Sequence, residues 1–218
     1  SGGPFKQGSN VLKGIDRYAM TVTPQEVATG QIRHALGMIV YNTMTGGTVC
    51  TEAQADTTAF GSTCGQAVAP AGQFERASSD RKGCNEAVTQ SMSSVGYRET
   101  TLPSGMRFAL DMTPAEIEHW LDSRHYTGQQ RTTARAFATA LVNYGWFITD
   151  TSCGAANFQI SGGANPKTAA AWRALGITGD GHDLLYVLMT KDRIWAVAPP
   201  TNHCTAGDDS KLACPARS

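Results

Sequence analysis

Charged residues and long apolar runs are both scarce in this chain. Only 17% of its 218 residues are charged, and 18 acidic side chains balance 18 basic ones. A chain with no basic excess and no basic run lacks the cationic surface that nucleic acids and anionic membranes attract. The longest apolar run, residues 184–189, is far shorter than the roughly 20 residues that span a bilayer. We therefore expect neither a nucleic-acid partner nor membrane insertion.

Two families of sequence motif are also missing. No glycine stands in the G-x-x-x-x-G-K or G-x-G-x-x-G frame that holds phosphates. The G-x-S-x-G turn, which presents the nucleophile of many hydrolases, does not occur either. The sequence therefore predicts a protein without a nucleotide cofactor.

The six cysteines indicate an oxidising compartment. An even number suits three disulfides, which persist outside the cytosol. The alternative is a structural zinc site, but zinc favours short C-x2-4-C knuckles, and the chain has none. We therefore predict disulfides, no metal, and a secreted or periplasmic protein. Fifteen pairings are open in principle, and short loop closure favours Cys204–Cys214 as the first. The cysteines are Cys50, Cys64, Cys84, Cys153, Cys204 and Cys214.

Local patterns predict a mainly β fold. Residues 1–14 are expected to form a flexible lead-in, and residues 15–218 a single domain. Apolar and polar residues alternate over 32–40 and 106–111, which is typical of strands with one buried face. Short strands, frequent turns and isolated helices together predict a β-sandwich of jelly-roll type, with about three peripheral helices and long disulfide-pinned loops.

Helix-start signals place those helices. Thr23-Pro24-Gln25-Glu26 and Thr113-Pro114-Ala115-Glu116 each combine a capping threonine, a proline and an acid in the first turn. A further helix is expected from Thr132 or Thr133 to Gly145, and another from Asn165 to Gly176. Residues 184–189 and 194–198, separated by a charged turn, are expected to form a closing hairpin.

Three polar residues on these strands are candidates for catalysis. His34 shares a phase with Ile32 and Leu36, and it suits a general base or a substrate-orienting donor. Asp150 ends an apolar strand and suits a general acid or a partner for the imidazole. Arg107 alternates with buried neighbours and suits binding of an anionic or hydroxyl-rich substrate. The alternatives are a hydrogen-bonded core histidine, a turn-forming acid and an ordinary surface arginine.

Aromatic and amide side chains supply candidate substrate contacts. Flat rings stack on pyranose sugars, and an amide offers hydrogen bonds to hydroxyl groups. The aromatic residues are equally suited to a core. The candidate substrate-binding residues are Tyr41, Asn42, Trp146 and Trp195.

Three stretches resemble a group of bacterial secreted domains of jelly-roll type. The matching pieces are 32–36 (Ile-Arg-His-Ala-Leu), 103–110 (Pro-Ser-Gly-Met-Arg-Phe-Ala-Leu) and 140–151, which contains Tyr144-Gly145-Trp146 and Asp150. Domains of this group occur with carbohydrate-active proteins. The resemblance implies a glycan partner and a site at His34, Arg107 and Asp150.

These observations favour a secreted, monomeric protein that cleaves polysaccharides, as a glycoside hydrolase or a polysaccharide lyase, in an open groove. The alternatives are a non-catalytic carbohydrate-binding or adhesion domain and a secreted hydrolase acting on peptide or ester bonds. An enzyme requires His34, Arg107 and Asp150 to converge within about 8 Å. A flat aromatic strip without such a cluster would instead favour a binding domain.

Overall fold

The fold is taken from a computed structural model of the chain. It describes residues 11–12, 15–16, 18–40, 43, 45–46, 68, 70–71, 75–76, 102–151, 156–162, 165–177, 182–197, 205–207 and 211–213. All six cysteines lie outside these residues, as do Tyr41 and Asn42. The predicted disulfides and these two substrate contacts therefore stay predictions.

A mixed five-stranded sheet forms the centre of the described structure. Its strands, in spatial order, are β8-β3-β7-β6-β9. β3 and β7 run parallel, and the other three pairings are antiparallel. The sheet therefore joins segments from both halves of the chain. The strands are β3 (Leu36–Val40), β6 (Arg107–Leu110), β7 (Trp146–Thr151), β8 (Asn157–Phe158) and β9 (Ile194–Ala196).

Three two-stranded pairs accompany this sheet. The first lies near the N-terminus, where the lead-in was expected, and the third lies near the C-terminus. The strands are β1 (Val11–Leu12) with β2 (Ile15–Asp16), β4 (Thr45–Gly46) with β5 (Glu75–Arg76), and β10 (Thr205–Gly207) with β11 (Lys211–Ala213).

Four α-helices are described. They are α1 (Pro24–Ala28), α2 (Pro114–Ser123), α3 (Gly128–Asn143) and α4 (Pro166–Ala174). Short 3-10 segments cover Tyr18–Met20 and His182–Leu185. α1 and α2 each start with a complete capping box, in which the N-cap threonine and the glutamate at N3 exchange hydrogen bonds. The predicted starts of α1, α2 and α4 are confirmed, whereas α3 begins at Gly128, earlier than Thr132 or Thr133.

The helices and one face of the sheet share a single hydrophobic core. Leu36, Phe108 and Ile148 point from the sheet into this core, and Leu121 and Leu141 meet them from α2 and α3. Gly145 then turns the chain from α3 straight into β7 with a left-handed φ of 69°. This is the helix-ending role that the sequence predicts for it.

The predicted β-sandwich is wrong. The described residues contain a five-stranded mixed sheet and about four helices, without a second sheet packed face to face on the first. The helices are not peripheral, because α3 buries alanines on more than one side, at Ala134, Ala136, Ala138 and Ala140. Alternating apolar residues identified β3 and β6 as strands, but they carry no information on whether the next layer is a sheet or a helix.

The predicted closing hairpin is also wrong. Residues 184–189 form part of a 3-10 helix and a turn rather than a strand. Ile194–Ala196 is a strand, but it pairs with β6 instead. Leu184 and Leu188 are buried, but Tyr186 between them is 53% exposed, whereas in an alternating strand all three would share one face.

Candidate functional site

Both ring nitrogens of His34 face hydrogen-bond acceptors. Nδ1 lies 2.9 Å from the carbonyl oxygen of Ala35, and Nε2 lies 3.0 Å from Oε1 of Glu26. A general base needs a ring nitrogen with a lone pair directed at its substrate. In this arrangement each nitrogen is directed at an acceptor within the protein. His34 therefore links the entry of β3 to α1.

Glu26 is held from its other side by its own helix. Its Oε2 accepts hydrogen bonds from the backbone N–H of Thr23 at 3.0 Å and from the Thr23 hydroxyl at 2.9 Å. The carboxylate thus completes the capping box of α1 while its Oε1 meets His34. These contacts make the pair a structural connection between two segments.

Arg107 closes the C-terminal end of α3. Its Nε and Nη2 donate to the carbonyl oxygen of Tyr144, at 3.2 and 2.7 Å. Tyr144 is the C-cap residue of that helix, where partial negative charge accumulates and a cation is favourable. The guanidinium carbon lies 5.7 Å from the ring centroid of Phe147, within the range of a cation–π contact. The side chain is therefore fixed in one orientation beside Phe147.

Asp150 lies at the opposite end of the sheet from His34. Asp150 pairs with Ile39 of β3. Leu36, two positions after His34, pairs with Trp146 at the beginning of β7. Four positions of extended chain separate Trp146 from Asp150, which corresponds to about 13 Å. The structure thus brings His34 and Arg107 to the end where β3 and β7 begin, and it separates Asp150 from both.

The two tryptophans proposed as sugar contacts have opposite environments. Trp146 is 2% exposed and packs between Phe108, at a centroid distance of 5.7 Å, and Phe158, at 6.2 Å. Trp146 is therefore a core residue. Trp195 is 61% exposed and stands directly opposite Ala109 in the pairing of β6 with β9.

A strip of four residues runs across the sheet face opposite the core. Side chains on paired strands alternate between faces, so residues directly opposite each other share a face. Arg107 is opposite Phe147 and Ala109 is opposite Trp195, while Phe108 between them is buried in the core. We call Arg107, Ala109, Phe147 and Trp195 the outer strip. At β9, which is an edge strand of the sheet, the strip presents the exposed indole of Trp195. Ala109 beside it is small, so the surface next to the indole is recessed.

The strongest pKa shift lies outside this strip. Hydrogen bonds from Arg135 and then from Arg131 lower the pKa of Glu118 to about 2. The Glu118 carboxylate lies 2.5 Å from Nε of Arg135 and 2.7 Å from Nη2 of Arg131, and so joins α2 to α3. Arg131 also contacts Asp122 at 2.7 Å. The network is explained by the packing of these two helices.

Sequence reasoning missed an apolar pocket of about 520 Å³ on the core side of the sheet. Part of its wall is the segment 184–189, which was expected to be one strand of a closing hairpin. The continuous apolar run at 184–189 fits a strand as well as a buried helical turn, so the sequence carries no signal that separates the two. Val187 in this wall has a left-handed φ of 55°, which is rare for a β-branched residue.

Comparison of the chain with protein-family models, curated proteins and solved structures found no match. The resemblance to secreted jelly-roll domains therefore stays a prediction as regards the group, and its jelly-roll architecture is replaced by the fold described above. Across the described segments, no helix is long and apolar enough to cross a bilayer. Within the same segments, no three His, Cys, Asp or Glu side chains cluster in a way that would hold a metal ion.

Proposed function

We propose that this protein binds glycans without cleaving them, through the outer strip. The observation that carries the proposal is Trp195, whose indole is 61% exposed on a sheet face. Large aromatic side chains usually bury most of their surface, so an exposed indole on a strand is available for a ligand with a flat apolar face. The faces of pyranose rings have this character.

The neighbours of Trp195 complete a surface suited to sugars. Arg107 shares the face, and its Nε and Nη2 are held by Tyr144, which fixes the guanidinium at low cost in side-chain entropy on binding. Among the contacts of the described residues, its Nη1 has no acceptor. A hydroxyl or carboxylate of a sugar is a suitable partner for that N–H group.

The positions of the proton-transfer candidates favour binding over cleavage. Hydrolysis of a glycosidic bond requires two carboxyl groups roughly 5–10 Å apart across the bond, and elimination requires a base with a free lone pair. His34 is engaged at both nitrogens, and Asp150 lies about 13 Å along β7 from the end where β3 begins. A secreted or periplasmic location and a monomeric state belong to the same proposal.

The test is binding and product formation measured on one panel of bacterial and plant polysaccharides. We expect affinity electrophoresis and calorimetry to detect at least one ligand, and Trp195→Ala to weaken its binding by about tenfold, which corresponds to about 1.4 kcal/mol. The matched control is Tyr18→Ala, because Tyr18 is 69% exposed outside the strip. Tyr18→Ala is expected to bind like the unchanged protein.

Two outcomes would contradict the proposal. New reducing ends, with or without an ultraviolet-absorbing double bond, would identify a hydrolase or a lyase. Equal affinity of Trp195→Ala and the unchanged protein for a bound glycan would remove the outer strip as the binding surface.

A further inference from the structure

The pocket on the core side of the sheet is partly open to solvent and larger than a packing void. Its volume is about 520 Å³, and its wall is contributed by the sheet, by α3 and by the segment 184–189. Interiors are normally packed so closely that voids larger than a water molecule are few. A space of this size falls instead within the range of small-molecule sites.

The side chains that line the pocket are mostly apolar, with Asn157 and Tyr186 as the polar exceptions among the described residues. None of the described lining residues carries a charge, and Asn157 is the one amide among them. Asn157 is exposed, which places it toward the rim. Transfer of a charged group into such a wall is costly, whereas a hydrocarbon gains free energy from contact with it. Representative wall residues are Met38, Phe137, Phe158, Ile160, Leu185 and Met189.

The segment that closes one side of the pocket is tied in a strained conformation. Val187 has a φ of 55°, and its neighbour Leu188 is completely buried. The indole Nε1 of Trp120 donates to the carbonyl oxygen of Tyr186 at 3.2 Å, and Arg124 lies 5.2 Å from the Tyr186 ring centroid. Strained backbone persists where its surroundings over-determine it, and it is enriched at ligand-binding sites.

The hydroxyl of Tyr126 contacts the backbone where the same segment begins. It lies 2.8 Å from the carbonyl oxygen of Asp183 and 3.1 Å from that of Leu184. These polar contacts fix the backbone on one side of the pocket. Apolar cavities in proteins bind apolar guests.

We propose that this pocket binds the hydrocarbon chain of a neutral aliphatic ligand, with the polar end of the ligand at the rim near Asn157. Leucine, isoleucine and methionine side chains make up half of the described wall, and the two methionines can adjust their rotamers to a flexible chain. The pocket lies on the core side of the sheet, whereas the outer strip lies on the other. The two sites are therefore separate, and this proposal does not depend on glycan binding.

The test uses the full chain and the neutral fluorescent probe 1-N-phenylnaphthylamine, with n-decanol as the competing ligand. We expect the fluorescence of the probe to increase on binding and n-decanol to displace it. Met38→Trp fills the pocket and is expected to weaken probe binding at least tenfold. The matched control is Met20→Trp, because Met20 is also a half-buried methionine but is not among the residues that line the pocket. This control is expected to bind the probe within twofold of the unchanged protein.

Met189→Trp provides a second filled variant from a half-buried position outside the sheet, should Met38→Trp fail to fold. Unchanged probe affinity in the folded filled variants, or failure of n-decanol to displace the probe from the unchanged protein, would overturn the proposal. Trp195→Ala is expected to bind the probe like the unchanged protein. The experiment therefore tests ligand binding in the pocket separately from glycan binding at the outer strip.

Discussion

Nε2 of His34 lies 3.0 Å from the carboxylate oxygen Oε1 of Glu26. The contact joins the residue that leads into β3 to the capping box of the first helix. Both side chains are partly exposed, at 25% and 33%, so the pair is hydrated in part. The geometry therefore indicates a modest stabilising role for a residue type that sequence reasoning had assigned to catalysis.

Replacement of His34 by alanine is expected to lower the free energy of unfolding by about 1 kcal/mol, because the contacts of its ring with Glu26 and with the carbonyl oxygen of Ala35 are lost. Thermal unfolding would shift down by about 2–4 °C. Glycan binding at the outer strip should not change. The control is His119→Ala on the exposed side of α2. A stable His34→Ala protein that has lost its binding would assign His34 to the site instead.

Replacement of Gly145 by alanine is expected to destabilise the fold by about 3 kcal/mol or more. The residue has a φ of 69°, and a Cβ atom there would overlap the carbonyl oxygen of Phe108. Gly128→Ala is the matched control, because Gly128 has a φ of 53° with nothing within 4 Å of the added atom. Its cost is expected to be only about 1 kcal/mol from backbone strain. Similar urea midpoints for the two variants would contradict the predicted overlap.

The Glu118 network is expected to make stability dependent on pH in the acid range. The pKa of the Glu118 carboxyl group in the folded protein is about 2, below the ordinary value of 4.5, so the folded state favours the ionised form. The contribution of ionised Glu118 to the free energy of unfolding is therefore complete above about pH 4.5, and it is lost as the pH falls toward about 2. Because the side chain is 44% exposed, solvent screening reduces it to about 1 kcal/mol.

Urea unfolding of the unchanged protein and of Glu118→Gln at pH 7 and at about pH 3 measures this contribution. The difference between the two proteins should shrink at the lower pH. Asp122→Asn is a suitable comparison, because the Asp122 carboxylate is 68% exposed and contacts only Arg131 among the ion pairs of the described residues. A Glu118→Gln difference that is the same at both pH values would show that the ion pairs do not supply it.

Replacement of His125 by glycine is expected to stabilise the protein by about 0.5 kcal/mol. His125 follows the C-cap of α2 with a φ of 56°, and its N–H and that of Tyr126 bond back to Asp122 and Leu121, at 2.9 and 3.2 Å. This is the Schellman arrangement, in which glycine avoids the cost of a Cβ atom. His125→Ala keeps that cost and should show no gain in thermal unfolding. Equal midpoints for the two variants would contradict the explanation.

The helix starts were the part of the fold that the sequence predicted best. Thr23 and Thr113 form capping boxes with Glu26 and Glu116, contacts that involve residues only three positions apart. Gly145 likewise ends α3 where predicted. Such features depend on a few neighbouring residues and on fixed backbone geometry, so a local pattern is sufficient to identify them.

The layer arrangement could not be predicted in the same way, because it depends on which distant segments meet. β3 was recognised as a strand, yet nothing in its alternation identifies β7 and β8 as its neighbours. The same limit applies to the candidate site. The outward phase of Arg107 was predicted correctly from its buried neighbours Met106 and Phe108. The separation of His34 from Asp150 follows from strand pairing, which the sequence does not display.

The parallel pairing of β3 with β7 has a consequence for the order of assembly. Leu36 meets Trp146 roughly 110 positions later, so the middle of the sheet cannot form until synthesis has passed β7. A nascent chain that has emerged only as far as α2 has neither neighbour for β3, and its Leu36–Val40 edge is open to pairing with other chains. Synthesis of β7 is therefore the step that commits this protein to its native architecture.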